Sequence, residues 1–189
     1  MKYDINKPLT KGVKRTLEAF TTKMFELLSK EPFEQISIMQ LCDETQYPRA
    51  TFYNYFEDKY DLLNFCWLIL AKKIKIDEYH HVNENEMFYV YFDRIYDFTR
   101  ENETIIRKVL QQNNEMGYMF SSFRNFLNNQ MRLIFKDCPE ASKKDIPTEL
   151  LADQYSNTLF LVWQWITIKE NNCSKEKAHK YLHYLINDQ

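Results

Sequence analysis

Residues 37–59 read SIMQLCDETQYPRATFYNYFEDK, and this stretch decides the fold. Ser37 precedes apolar residues at helical spacing, so it can cap a short first helix. Three residues then interrupt the pattern, and a proline is tolerated in the first turn of a second helix, which we expect over about Pro48–Tyr55. Asp58 can cap a third helix. The stretch therefore predicts a helix-turn-helix over about residues 37–56.

The second helix has one inward side and a broad polar side. Phe52 and Phe56 lie four residues apart and can pack inward on the same face. Because so short a helix is not stable alone, its neighbours must hold it in place. The remaining side chains offer hydrogen-bonding tips of the kind that a DNA major groove accepts. A three-helix packing unit that does not bind DNA is the alternative that these residues leave open.

The same residues resemble a known family. The segment Arg49–Phe56, RATFYNYF, together with Lys59 and the following Asp-Leu-Leu, resembles the recognition helix and exit of TetR-family transcriptional repressors. The resemblance covers about residues 12–65. Gln46 stands where that family usually has a turn glycine, and Pro48 where it often has a capping serine. A glutamine in a left-handed turn carries a modest strain.

The resemblance implies a set of DNA contacts. Phosphate contacts are expected from Thr51, Tyr53, Tyr55 and Lys59, and base-edge contacts from Arg49 with Gln46, Tyr47 and Asn54. The first helix presents Lys14 and Arg15 to phosphates, and Ser37 and Ala50 complete the predicted surface. On this assignment, Arg49→Ala relaxes sequence preference, whereas Lys59→Ala weakens binding to all sequences alike.

Composition favours an all-α protein. The 189 residues include two glycines and five prolines, which are few for a sheet-rich fold with many tight turns. Apolar periodicity predicts about nine helices and no strand. The expected bounds are Lys7 or Thr10 to Ser29, a short helix after Ser37 that is broken at 45–47, about Pro48–Tyr55, Asp58 to about Tyr79, about Glu86–Arg100, a short helix over 105–110, about Tyr118–Lys136, about Pro147–Glu170, and a last helix capped by Ser174.

Charge and pattern predict two domains. Residues 1–30 carry seven Lys or Arg against three acidic residues, a net charge of +4, so the rest carries −6 of the total of −2. A basic end on an acidic body is typical of a DNA-binding domain joined to a different domain, although a solvated first helix would look alike. The resemblance implies a helix-turn-helix domain of three helices over residues 1–60, followed by a six-helix effector-binding and dimerisation domain over 61–189.

The last two helices are the predicted dimer contact. They are apolar on two sides and contain two tryptophans, more than one bundle buries, although an internal core for both sides is the alternative. One recognition helix reads few base pairs. We therefore expect a homodimer on a palindromic operator in double-stranded DNA, with half-sites one helical turn or a multiple apart.

An effector pocket is implied by the resemblance, because bodies of that family usually hold one. Polar tips on an apolar wall suit a mostly apolar small molecule; they belong to Tyr89, Tyr91, Tyr96, Gln112, Asn113 and Tyr118. The pocket residues that we predict are Trp67, Tyr91, Gln112, Tyr118, Phe123 and Trp163. Some family members respond to a protein partner instead.

Other functional classes find little support. The four cysteines are far apart and form no C-x-x-C pair, and His179 with His183 lacks a nearby third ligand, so we predict no metal site. We predict no cofactor and no enzyme, because the chain has no nucleophile motif and no glycine-rich phosphate loop. A polar N-terminus and a longest apolar run of about half a bilayer span lead us to expect a cytoplasmic protein with no membrane contact.

The sequence thus predicts a DNA-binding transcriptional regulator, a repressor released from its operator by an effector. Three alternatives stay open: a regulator that responds to a protein partner, an activator, and a helical carrier or enzyme that has lost DNA binding.

Overall fold

A computed structural model describes residues 9–76, 87–136, 138, 145–169 and 173–187. Within these ranges the chain forms nine α-helices, a π-helical turn and no strand, so the predicted all-α class is confirmed. The helices are α1 Lys11–Leu28, α2 Ile38–Thr45, α3 Arg49–Tyr55, α4 Lys59–Lys73, α5 Met87–Glu101, α6 Glu103–Gln112, α7 Tyr118–Lys136, α8 Thr148–Gln164 and α9 Lys175–Asn187, and the π turn Trp165–Lys169 follows α8.

Local capping sets the ends of the first helices. The Thr10 hydroxyl accepts a hydrogen bond from the Val13 N–H and caps α1. The Ser37 hydroxyl accepts from the Gln40 N–H, which confirms the predicted cap, and the Gln40 side chain completes a reciprocal capping box at the start of α2. Pro48 lies just before α3 and not inside it, with φ −59° and ψ 148°. The Asp58 carboxylate accepts from the Asp61 N–H at 2.8 Å, which confirms the predicted cap of α4.

Helix α4 ends earlier than its apolar pattern predicts. We expected it to reach Tyr79, but the last helical residue is Lys73, and Lys75 takes a left-handed conformation with φ 57°. The Ile76 N–H donates to the Ala71 carbonyl at 3.0 Å, a bond that closes the helix end. Positions 77–79 lie outside the described residues. Buried side chains occupy more than one side of α4; they include Leu62, Leu63, Phe65, Cys66 and Trp67.

The remaining helices agree with the sequence pattern to within a few residues. Helix α7 has the predicted bounds, α6 is longer than the predicted 105–110, and the Ser174 hydroxyl caps α9 by accepting from the Lys177 N–H. Helix α8 stops at Gln164, and the expected continuation is a π turn as far as Lys169. No helix of the described residues is long and apolar enough to cross a membrane.

The contacts divide the chain into two compact units. The first contains Met1–Leu70 and Lys108–Ser122, and the second contains Ala71–Arg107 and Phe123–Gln189. This division differs from the expected single boundary near residue 60, because the end of α6 and the start of α7 group with the helix-turn-helix. The second unit includes α5, α8 and α9, which pack on one another.

Asn113 explains why the end of α6 belongs to the first unit. Its side chain is buried, with 4% exposed. The amide oxygen accepts from the Phe33 N–H at 2.9 Å, and the amide nitrogen donates to the carbonyls of Leu28 and Val109 at 3.0 and 2.8 Å. One side chain therefore satisfies backbone groups of α1, of the loop after α1 and of α6.

Asn113→Ala is predicted to lower the free energy of unfolding by about 2–4 kcal/mol, because the buried Phe33 N–H and Leu28 carbonyl lose their partner. Urea unfolding followed by circular dichroism measures the change. Gln111→Ala, at an exposed position of the same helix, is the control and should stay within about 0.5 kcal/mol. Equal stabilities of the two variants would contradict the role given to Asn113.

Candidate functional site

Helix α3 carries the candidate DNA-reading surface. Phe52 is fully buried, and Phe56 is buried just after the helix; their ring centroids lie 5.3 and 6.3 Å from that of buried Phe20 in edge-on geometry. These contacts fix the rotation of α3 about its own axis. The predicted contact residues therefore lie on the outside: Arg49, Ala50, Tyr53 and Asn54 are exposed, and Thr51 and Tyr55 are half-buried.

The Arg49 side chain is oriented within α3 itself. Its guanidinium lies 3.5 Å from the Tyr53 hydroxyl and 6.0 Å from the centre of the Tyr53 ring, one helical turn away. The hydrogen bond to Tyr53 raises the pKa of Arg49, and a guanidinium is charged at neutral pH in any case. A planar cation held at an exposed helix start is suited to two acceptors on one guanine.

The turn before α3 has the predicted left-handed residue. Gln46 has φ 58° and ψ 26°, and its N–H donates to the Asp43 carbonyl at 3.3 Å. Tyr47 is only half-buried, and its ring centroid lies 5.6 Å from Phe20. Its ring thus belongs partly to the core, which limits the reach of Tyr47 to a base edge. On α1, Lys14 and Arg15 are exposed, as is the capping residue Ser37.

Lys59 has a different place from the one we predicted. Its ammonium donates to the carbonyls of Phe33, Glu34 and Ile36 at 3.0, 2.8 and 2.8 Å, and it lies 4.8 Å from the centre of the Phe33 ring. Desolvation in this setting lowers the pKa of Lys59. An ammonium has three N–H donors, and each has a carbonyl partner here. The expected phosphate contact is therefore replaced by a structural bond between α4 and the loop after α1.

The predicted pocket residues fall in both compact units. Trp67, Gln112 and Tyr118 belong to the first unit: the Trp67 indole N–H donates to the Ser122 hydroxyl at 3.1 Å, the Tyr118 ring stacks on Phe33 with centroids 5.4 Å apart, and Gln112 is exposed. Asn113, whose polar tip we assigned to the pocket wall, is used in the first unit instead. Tyr91, Phe123 and Trp163 belong to the second unit, and the Phe123 and Trp163 rings lie 5.8 Å apart.

A cleft of the second unit contains charged residues that we did not predict. It is narrow, with room for about one water molecule (about 10 Å³), and Trp163 lines it together with Tyr96. Its charged residues are Arg100, Glu103 and Arg107. Sequence spacing offered a signal for the last two, because residues four apart at a helix start meet on one face.

The two histidines of α9, His179 and His183, have different surroundings. His179 lies 2.6 Å from an Asp93 carboxylate oxygen, a contact that brings a carboxylate from 86 residues earlier in the chain. His183 is exposed on the same helix. Among the described residues, no group of three or more His, Cys, Asp or Glu is arranged to hold a metal ion.

The Cys42 thiol is buried in the first unit, and its desolvation there raises its pKa.

Comparison with known proteins places the architecture. No family model matches the sequence, and no curated protein matches it. Among solved structures, a protein described as a TetR-family transcriptional regulator from Syntrophomonas wolfei superposes with a TM-score of 0.65 at 19% identity, over 91% of this chain and 93% of that one. The fold is the TetR fold.

Two further structures share it. The transcriptional regulator FadR from Bacillus subtilis, solved in complex with stearoyl-CoA, gives a TM-score of 0.60 at 12% identity, over 91% of this chain and 98% of that one. The fatty acid degradation regulator FadR from Bacillus halodurans gives 0.57 at 12% identity, over 95% and 97%. The predicted TetR-like architecture is therefore confirmed at the level of the fold.

Gln46→Gly is predicted to raise the free energy of unfolding by about 0.5–1 kcal/mol. Glycine removes a left-handed strain of about 1–2 kcal/mol, and part of that gain is offset by the greater freedom of glycine in the unfolded chain. Thermal or urea unfolding measures the difference. Asp43→Gly, at an exposed right-handed position of α2, should lower stability by about 0.5–1 kcal/mol. A loss of stability in Gln46→Gly would show that the turn is not strained.

Proposed function

We propose that this chain is a sequence-specific DNA-binding transcriptional regulator, a repressor that an effector releases from a palindromic operator. The observation that carries the proposal is the arrangement of α3. Its inward rings fix the helix against Phe20, while Arg49, Tyr53 and Asn54 are presented outward. A rigid helix with a cationic, hydrogen-bonding outer face is the element that enters a major groove.

The contacts divide into two classes. Arg49 at the start of α3 is the proposed base reader, with Gln46 and Asn54 beside it. Thr51, Tyr53 and Tyr55 on α3, with Lys14 and Arg15 on α1, are the proposed phosphate contacts. Tyr47 is kept as a marginal contact because its ring is partly in the core. Lys59 is left out because its donors are used by backbone carbonyls.

The effector is assigned to the second compact unit. The FadR protein from Bacillus subtilis, which shares the fold, was solved with stearoyl-CoA. That similarity supports a small-molecule effector here over a protein partner. Because a DNA-binding regulator needs access to the chromosome, we also propose that the protein is cytoplasmic. A helical carrier without DNA binding is the competing function, and DNA selection separates the two.

Arg49→Ala is predicted to lose about 1–3 kcal/mol of binding to the preferred sequence and to relax the preference at one base pair. DNA selected from a random pool by the wild-type protein supplies the site, and gel shifts at several salt concentrations give affinities. The Arg49→Ala substitution should change the affinity for random DNA little, since base contacts carry the sequence information.

Lys14→Ala is the matched control on the phosphate side. It should weaken binding to selected and to random DNA by the same factor. It should also reduce the slope of log affinity against log salt concentration by about 1. If Lys14→Ala changed the sequence preference and Arg49→Ala did not, the assignment would be reversed. If the wild-type protein selected no sequence at all, the carrier would be the better proposal.

We further propose a homodimer through α8 and α9. Exposed apolar side chains on both helices line one groove: Leu161 and Trp165 are each 53% exposed, and Tyr184 is 68% exposed. Tyr181 and Leu185 line the same groove. Tryptophan and tyrosine are enriched among residues that dominate binding energy in interfaces. A second copy of the chain is the occupant that a palindromic operator requires.

Trp165→Lys is predicted to shift the protein from dimer to monomer at micromolar concentration, because a charge would have to be buried in the apolar contact. Sedimentation velocity measures the mass. Met116→Lys, at a residue of the first unit that is 92% exposed, should leave the dimer intact. A wild-type monomer would overturn the homodimer proposal, and a Trp165→Lys protein that stays dimeric would place the contact elsewhere.

A further inference from the structure

Arg49 and Tyr53 form a pair on the outer face of α3. A terminal guanidinium nitrogen of Arg49 lies 3.5 Å from the Tyr53 hydroxyl, and the guanidinium carbon lies 6.0 Å from the centre of the Tyr53 ring. The two residues are four apart, so they are neighbours on one face of the helix. Because a guanidinium only donates hydrogen bonds, the Tyr53 oxygen is the acceptor in this contact.

The Tyr53 ring is held in place by the core of the first unit. It lies edge-on to Phe52, with ring centroids 5.5 Å apart and ring planes at 88°. Phe52 is fully buried and packs in turn on Phe20. Tyr53 itself is 37% exposed, so part of its side chain faces solvent. The acceptor for Arg49 therefore belongs to a surface ring whose position is set by buried side chains.

The Arg49 guanidinium remains available to a base. Its pKa is raised mainly by the hydrogen bond to Tyr53, and no described Asp or Glu contributes to that rise. A guanidinium has five N–H donors, and the bond to Tyr53 uses one of them. Arg49 thus keeps the two donors that the O6 and N7 acceptors of a guanine require.

The Tyr53 hydroxyl can make two bonds at once. A phenol oxygen accepts a hydrogen bond while its O–H donates another, so Tyr53 can accept from Arg49 and donate to a DNA phosphate. The base reader and the phosphate contact are then joined through one oxygen atom. A long side chain that is already held in its bound orientation also loses less freedom on binding.

We infer that Tyr53 is a positioning residue for base reading, because its hydroxyl holds the Arg49 guanidinium in the orientation that contacts one base pair. Tyr53 then determines sequence preference without touching a base. This inference rests on the proposed function and deepens it. It also distinguishes Tyr53 from Tyr55, which we propose only as a phosphate contact.

The test compares variants on two DNA duplexes of equal length, the site selected by the wild-type protein and a random sequence. Tyr53→Phe removes the hydroxyl and keeps the ring, and circular dichroism checks that the fold is unchanged. The ratio of selected to random affinity should fall at least about fivefold, since hydrogen bonds to charged groups are among the stronger ones. A new selection with Tyr53→Phe should lose preference at the base pair that Arg49→Ala relaxes.

Tyr55→Phe is the matched control on the same helix. It should change the ratio of selected to random affinity by less than about twofold, because a phosphate contact carries no sequence information. A Tyr55→Phe variant that loses the same preference as Tyr53→Phe would overturn the inference, because the loss would then not be specific to the neighbour of Arg49.

A double-mutant cycle connects the effect to Arg49. In an Arg49→Ala background, Tyr53→Phe should change the affinity ratio less than about twofold, since no guanidinium remains to be positioned. Additive losses would overturn the inference, because Tyr53 would then act independently of Arg49. A sequence-selective wild-type protein whose Tyr53→Phe variant keeps the full ratio would overturn this inference alone. A wild-type protein that selects no sequence would overturn the proposed function as well.

Discussion

The packing of Phe52 and Phe56 on Phe20 is the constraint on which the DNA-facing surface depends. Helix α3 has seven residues, too few for stability in water by backbone hydrogen bonds alone. Its existence and its rotation both come from burying these rings, which make edge-on contacts of a kind worth about 0.5–1.5 kcal/mol beyond their area. The burial of the apolar face of α3 therefore determines which side chains face outward. Every DNA contact proposed for Arg49, Tyr53 or Asn54 depends on that rotation of the helix.

Around this core, several charged and polar groups hold backbone segments instead of facing solvent. Lys59 binds three carbonyls of the loop after α1, and Asn113 binds the Leu28 carbonyl at the end of α1 and the Phe33 N–H within that loop. The loop lacks regular secondary structure, so its buried backbone groups need partners from side chains. Two polar residues that resemble binding groups in the sequence thus act as supports for the short helix-turn-helix.

The sequence predicted the features whose cause lies within about five residues. The Ser37 cap, the left-handed Gln46, the Asp58 cap and the bounds of α7 all depend on neighbours along the chain. It missed features that join distant segments. Lys59 reaches back 23–26 residues, and Asn113 reaches back 80–85. The cleft that contains Arg100, Glu103 and Arg107 likewise joins α5 and α6 to Trp163. The Trp163 indole bonds to Thr99, which lies 64 residues earlier in the chain.

The π turn at Trp165–Lys169 has a consequence for comparing this chain with its structural neighbours. A turn closed by a bond to the fifth residue holds one residue more than an α-helical turn. Each residue of an α-helix rotates the chain by about 100°, so a gapless alignment with a regular helix would assign the side chains at the end of this helical segment, which stops at Lys169, to the wrong face. An alignment of the α8 segment with a regular helix therefore needs a one-residue insertion at this turn.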